Sequence, residues 1–374
     1  MSDAMSDIKK TPLTSIHQSL GAKMVEFAGF LMPVSYGSIL DEHRAVRERA
    51  GIFDVSHMGE FVVTGPRARE FVNEVITNDC SKLAPGALQY NVMCREDGTT
   101  VDDLLVFVLG EERVLMVVNA ANIAKDFDHV CTFDRHGVKV ENASDSWALL
   151  AVQGPMTREI LKACPIFRSV KTQIDETPYY KGFSFAYEGD EVLVSRTGYT
   201  GELGFEIFIP PQHAPVFWER IVEAGSSQGI VPIGLGARDT LRFEASYCLY
   251  GHELDDNTSP LEAGLNWVVK LNKPSFRGIE ALRREKEAGS PRTLVGLELE
   301  GRNIARSGYR VIKDGADVGK VTSGAFSPTL QKSLCMALID RGARDGSTEY
   351  KIVIREKQAA AGVTALPFYK SRAK

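Results

Sequence analysis

Glu60-Phe61-Val62-Val63-Thr64-Gly65-Pro66-Arg67-Ala68-Arg69-Glu70-Phe71-Val72-Asn73-Glu74-Val75-Ile76 changes its hydrophobic period at a single point. Glu60 to Val63 reads as a strand, rich in the β-branched and aromatic residues that suit a half-buried pleat. Gly65-Pro66 ends that run and presets the first turn of a helix, in which Ala68, Phe71, Val72, Val75 and Ile76 share one face. The phrase then returns. Trp147 to Val152 is again strand-like, Gly154-Pro155 again opens a helix, and Arg158-Glu159 stands where Arg69-Glu70 stands in the first copy. The pattern predicts an internal duplication. A looser third instance places strands at Glu191 to Arg196 and Phe205 to Ile209 around a glycine-punctuated turn, followed by a helix over Pro215 to Ala224.

Outward from these units the signals stay mixed. Ser38 with Asp41 resembles a capping box, Ile39, His43, Val46 and Ala50 give the helix one face, and Gly51 is the expected stop. Near residues 280 to 291 the chain turns charged and Gly/Ser/Pro-containing. Beyond lie short strand candidates at Thr293 to Leu299, Tyr309 to Lys313, Val318 to Val321, Cys335 to Ile339 and Glu349 to Ile354. The class is α+β, with a small separate β-barrel or sandwich at the C-terminal end.

Composition narrows the partners. At about one domain per 150 residues, 374 residues call for two or three units. Lys plus Arg total 44 against 49 Asp plus Glu, a formal charge of -5, without the basic excess that tracking phosphates requires, so no nucleic acid is expected. The longest apolar run, Leu104 to Leu109, is six residues where a membrane span needs about 20, so no membrane partner is expected either. The start MSDAMSDIKK lacks the pattern of a signal or transit peptide, which makes the cytoplasm the expected location. Six cysteines without a CxxC are read as reduced, and no metal is expected.

Nucleotide-binding and hydrolase signatures fail: Gly234-Leu235-Gly236 runs on to Asp239 instead of a third small residue, and neither HExxH nor GxSxG occurs. Four polar clusters remain. Asp97 to Val106 reads as a turn feeding a strand whose adjacent carboxylates, Asp102 and Asp103, point to opposite faces, so that one can be solvated and the other directed inward. Ser195 to Glu206 offers three glycines, suited to a tight hairpin or to close approach of a ligand, and returns Glu206 to an apolar strand. Pro232 to Ala245 puts Arg238 in the first turns of a helix, and Phe53 to Gly59 carries His57, more often structural than catalytic.

Together these phrases resemble the aminomethyltransferase, or T-protein, family of the glycine cleavage system. The resemblance rests on FDVSHM at 53 to 58, Val101-Asp102-Asp103-Leu104, Ser195-Arg196-Thr197-Gly198-Tyr199-Thr200-Gly201-Glu202, Gly234-Leu235-Gly236-Ala237-Arg238-Asp239, Tyr250-Gly251-His252-Glu253-Leu254 and Phe326-Ser327-Pro328-Thr329-Leu330, in order and nearly end to end. It implies three domains in a ring around a central folate cavity: a discontinuous first domain of 1–55 and 145–230, a second of 56–144 and 231–284, and a C-terminal barrel of 285–374. It also implies transfer of the aminomethyl group from the lipoyl arm of H-protein to tetrahydrofolate as co-substrate, with release of ammonia. By the same resemblance Asp103 is the catalytic carboxylate. Glu206 and Tyr199 meet the pterin, Arg238 supplies a cation, and Met58, Tyr90, Val117, Asn119 and Trp267 line the cavity. A C-terminal aromatic, Phe368 or Tyr369, with Tyr369 preferred, approaches the folate. The rival readings are a folate-dependent demethylase of a small molecule and a non-catalytic folate-binding assembly factor; the Lys-Gly-Cys-Tyr phrase of the latter is replaced here by Ala263-Gly264-Leu265.

Overall fold

The computed structural model describes residues 8–135, 137–345 and 349–371; the expected domain ranges also take in residues 1–7 and 372–374, which lie outside them. Both copies of the repeated phrase fold alike. The strand Gly59–Thr64 leads through Gly65 (φ +125°) into the helix Ala68–Val75, and the strand Ala148–Gln153 leads through Gly154 (φ +127°) into the helix Thr157–Ala163. In each, the amide three residues after the glycine donates to the glycine carbonyl, Ala68 to Gly65 at 3.0 Å and Thr157 to Gly154 at 3.1 Å. Each strand then joins the last of three antiparallel strands that follow it in sequence. One sheet has the order Leu88–Cys94, Thr100–Gly110, Arg113–Val118, Gly59–Thr64, Lys139–Asn142. The other has the order Gly182–Tyr187, Asp190–Ser195, Gly204–Ile209, Ala148–Gln153, Gly51–Asp54, Val231–Pro232.

Period-two alternation decides how these sheets stack. Leu150, Val152, Ile207 and Ile209 pack outward on the helices Thr157–Ala163 and Ala214–Gly225, whereas Leu149, Ala151 and Phe208 pack inward on Phe107, Leu115 and Val117 of the other sheet. The second sheet covers its own outer face with Ala68–Val75 and Ile123–Cys131, through Phe61, Phe71, Val106 and Val130. The result is four layers, helices outside and two sheets face to face. Each fully buried Phe or Leu of the inner layer contributes on the order of 1.5–3 kcal/mol.

The C-terminal strands Arg292–Leu299, Lys332–Asp340, Ala316–Ser327, Arg310–Lys313, Glu349–Ile354 and Lys357–Thr364 close into a barrel, in that order around it. The mixed class and the barrel agree with the sequence reading. The strand expected at Val318 to Val321 runs over Ala316–Ser327, and Lys357–Thr364, too alanine-rich to read as a strand, completes the closure.

One local reading is corrected. Ser38 does cap the helix Ile39–Glu48, its Oγ accepting from the Asp41 amide at 3.3 Å, but the helix ends at Arg49 and Gly51 opens the next strand. Gly51 is small because a Cβ there would lie 2.3 Å from Ile233 and 2.7 Å from Val46, so it is a packing glycine rather than a helix stop.

Candidate active site

Asp103 and Glu206 come from opposite sheets and both point into the layer between them, Asp103 in register with Leu105 and Phe107, Glu206 with Phe208. Glu206 is cross-strand from Ala151 and Ser195 and accepts a hydrogen bond from Thr197 Oγ1. Asp103 takes the Tyr90 hydroxyl on Oδ2 at 2.7 Å and the Asn119 amide on Oδ1 at 2.9 Å. Burial, followed by the Asp102 charge beside it, pushes the Asp103 carboxyl up to about 7 against the pull of those two donors. Burial likewise raises Glu206, while Thr197 and the Arg238 guanidinium oppose the rise.

Arg238 sits in the first turn of the helix Leu235–Glu244 with its guanidinium 4.7 Å from the centre of the Tyr199 ring, and electrostatically it faces Tyr199 and Glu206. Its side chain forms no hydrogen bond among the described residues and burial lowers its pKa, so a deeply placed cation is left with donors to offer. Tyr199 is fixed by a hydrogen bond from its hydroxyl to the Cys248 carbonyl and stacks on Tyr247 at 5.8 Å. Tyr90 stacks on Trp267 at 5.6 Å; Trp267 is 56% exposed and marks the outer edge of the group. Tyr90, Tyr199 and Arg238 lie deep in the protein yet keep a face that water reaches.

The sheet register adds the remaining wall. Leu105, Val117 and Glu60 stand side by side on three neighbouring strands, with Asn119 and Met58 just past the ends of two of them. Tyr90 and Asn119 thus bond Asp103 directly, Tyr199 faces both Asp103 and Arg238, Glu206 faces Arg238, Trp267 stacks on Tyr90, and Met58 and Val117 stand on the neighbouring strands. Tyr369 does not join them. Its ring lies 4.1 Å from the Arg47 guanidinium and its amide donates to the Glu244 carbonyl, while Phe368 packs on Phe243. Both aromatics lie along the end of the helix remote from Arg238, with no described contact to Asp103, Glu206 or Arg238.

Two further readings change, and the structural reading of His57 holds. Asp102 does face away from Asp103's side, but it is fully buried rather than solvated. The glycines at 198 and 204 make room for a side chain of the protein: a Cβ would lie 1.9 Å and 2.2 Å from the amide of Gln153, which donates to the Thr197 carbonyl at 3.1 Å. His57 is buried against the edges of Phe27 and Phe30, and burial together with the Arg238 charge brings it down to about 4, so it is neutral at pH 7.

Sequence reasoning missed Tyr180. It feels the charges of Glu206 and Asp103, touches Tyr179 at 4.6 Å, and holds φ at +60°, a cost on the order of 1 kcal/mol for a side chain of this size. Hydrogen bonds from its amide to Arg196 and from Leu88 to its carbonyl keep it there. The Thr177-Pro178-Tyr179-Tyr180 phrase was the available signal, but a left-handed tyrosine is not legible in composition. Glu60, buried with one oxygen lacking a hydrogen-bond partner among the described residues, was read only as the start of a strand.

The barrel is tied to this site through Glu244, at the other end of the Arg238 helix. Glu244 accepts from Arg47 at 2.9 Å, Ser327 Oγ at 2.5 Å and Thr329 Oγ1 at 2.7 Å, with His43 at 3.2 Å. Two open surface depressions of about 460 and 550 Å³ contain none of the residues around Asp103. No group of His, Cys, Asp and Glu among the described residues could hold a metal ion, and no described helix is long and apolar enough to cross a membrane.

Comparison with known proteins bears on this arrangement. Residues 13–273 match the GCVT N-terminal domain family and residues 292–370 match the glycine cleavage T-protein C-terminal barrel domain. The chain is 49% identical over 369 residues to an aminomethyltransferase of Desulforamulus reducens, covering 98% of this chain and 99% of that protein. It is 48% identical over 364 residues to an aminomethyltransferase of Thermotoga neapolitana, covering 97% and 98%. Its structure is similar to the crystal structure of glycine cleavage system aminomethyltransferase T from Bartonella henselae, with a TM-score of 0.89 at 33% identity, covering 98% of this chain and 99% of that one.

Proposed function

Since the chain belongs to the glycine cleavage T-protein family and is an aminomethyltransferase, we propose that the group around Asp103 is where its one-carbon transfer takes place. The reaction converts an S-aminomethyl dihydrolipoyl arm on H-protein and tetrahydrofolate into the free thiol arm, ammonia and 5,10-methylenetetrahydrofolate. The C–N and C–S bonds of the aminomethyl carbon break, and the two folate N–H protons end on sulfur and ammonia. Tetrahydrofolate supplies, when bound, the N5 and N10 amines that take up the carbon. The protein works in the cytoplasm and meets H-protein as a transient partner.

The observation that carries this reading is two buried carboxylates, Asp103 and Glu206, one from each sheet and both facing the layer between them, with a half-buried arginine whose side chain forms no hydrogen bond among the described residues. Such a space fits a folate. Glu206 has an acceptor oxygen beyond the one used by Thr197 and can take the paired N–H groups of a pterin edge. Tyr199, Tyr180 and Met58 offer faces for the flat ring, and Arg238 offers a charge to the oxygens. Asp103, ionised above about pH 7, orients the amine that attacks and accepts its proton at Oδ as the bond forms. Tyr90 and Asn119 keep that carboxylate from turning away.

The full-length identity to aminomethyltransferases does not favour a demethylase or an assembly factor. Ammonia release from aminomethylated H-protein, followed with and without tetrahydrofolate, tests the proposal. Folate should stimulate release strongly; release indifferent to folate would overturn it.

A further inference from the structure

The side of the Asp103 strand that faces away from the site carries a second arrangement of carboxyls. Asp102 points outward to the helix Ile123–Cys131 and is fully buried. Its Oδ1 accepts from Asn119 Nδ2 and from Asn122 Nδ2, each at 2.9 Å, and its Oδ2 accepts from the Asn119 amide at 3.3 Å. Asp126, on that helix, is also fully buried, and neither of its oxygens meets a donor among the described residues. The group it does meet is Asp102.

Two carboxyls can adjoin in a dry environment only with a proton between them. Burial, then the hydrogen bond and charge of Asp102, push Asp126 up to about 11, so the proton resides on Asp126 and this acid is the donor to Asp102. The other charges near the pair are Lys125, whose Nζ is turned to the Val101 carbonyl at 2.6 Å, and beyond it Asp256 and Arg95. On the Asp103 side the facing groups are Tyr90, Tyr180, Tyr199 and Cys248. Asn119 spans the strand. The Nδ2 that Asp102 fixes also donates to Asp103 Oδ1 at 2.9 Å and to the Asp103 carbonyl at 3.1 Å.

We propose that Asp126 and Asp102 are positioning residues for the transfer reaction: the Asp126 acid donates to Asp102, Asp102 fixes the Asn119 amide, and Asn119 holds one oxygen of Asp103 while Tyr90 holds the other. The inference rests on the role given to Asp103 above. It also gives Asp102 a second effect, since its charge lies next to the carboxylate that must ionise.

The test is the pH profile of folate-dependent ammonia release for the full chain and four variants. Asp126→Asn still offers an N–H to Asp102 and should keep kcat within about threefold. Asp126→Leu fills the space without a donor and should lower kcat about tenfold, with the KM for folate changed less than about threefold. Asp102→Asn removes the like charge beside Asp103, so the acid limb should move about one pH unit lower. A folded Asp126→Leu protein with wild-type kcat, or an Asp126→Asn protein as impaired as Asp126→Leu, overturns the positioning role. An acid limb that stays in place in Asp102→Asn overturns the charge effect of Asp102, and if Asp126→Leu does not fold, an Asp126→Asn protein that loses about tenfold in kcat overturns the positioning role. Asp103→Asn separates the two levels. If it alone loses turnover, only the positioning chain falls; if it turns over normally, the reading of Asp103 falls first.

Discussion

The two strand–helix units repeat each other in strand order, in the glycine that turns each strand into its helix, and in turning a buried carboxylate, Asp103 in one and Glu206 in the other, to the space between the sheets. They differ in the company that carboxylate keeps. Asp103 is raised first by burial and then by the second aspartate on the adjoining residue, against the pull of two neutral donors, which leaves it close to its midpoint near pH 7. Glu206 has a hydroxyl donor and a guanidinium opposite. Burial raises both; the like charge adds to the rise at Asp103, whereas the cation opposes it at Glu206. On the proposed reading, a repeated fold takes up two chemical tasks by changing neighbours rather than architecture.

If that division is right, the two carboxylates should fail differently. Asp103→Asn should lower turnover by about 10² or more while folate binds within about tenfold, as steady-state ammonia release and a folate titration would read. Glu206→Gln should show the opposite split, with folate affinity down by roughly 30-fold and turnover at saturating folate within about tenfold. Equal losses in both parameters for both variants would erase the distinction. The pH profile sharpens it further. Because the Asp103 carboxyl is raised to about 7, its ionised form is populated above that pH and lost below it, so the rate should fall about tenfold per unit on the acid side. Glu206→Gln should leave that limb in place.

The smallest expected effect concerns the hinges of the repeat. At Gly65 an added Cβ meets nothing closer than 3.4 Å, but at Gly154 it would lie 2.5 Å from the Arg49 carbonyl oxygen and 2.8 Å from the Ala50 Cα. Gly65→Ala should cost about 1 kcal/mol for its backbone conformation, and Gly154→Ala about 1–2 kcal/mol more, as urea unfolding would measure. Equal costs would mean that the second hinge is not pinned by the neighbouring helix end.

Sequence reading reached far where local chemistry determined the outcome. The Gly-Pro hinges, the cap at Ser38 and the alternation that sends Asp102 and Asp103 to opposite faces were all legible, because each depends on residues near one another in the chain. What stayed hidden depends on distant partners. Gly198 and Gly204 look like a ligand-hugging loop until Gln153, some 45 residues earlier by position, is found between them. That both adjacent carboxylates would be buried was hidden because nothing local says that Asn122 and Asp126 will close over Asp102. Tyr369 looked like a site residue because its neighbours match a phrase, whereas its placement is set by Arg47, more than 300 residues away.

The Glu244 junction gives the molecule a response to acid. Burial alone would raise this carboxyl, but the hydrogen bond and charge of His43, together with Arg47 and Ser327, bring it down to about 2. A depressed carboxylate stabilises the folded form above its unfolded value near 4.5, and that stabilisation is withdrawn as the pH falls from there through about 2. Most of the partners involved, Ser327 and Thr329 on one side and Arg47 and His43 on the other, span the seam between barrel and body. Acid therefore weakens the attachment of the barrel at this seam, where the far end of the helix that carries Arg238 meets Ser327 and Thr329.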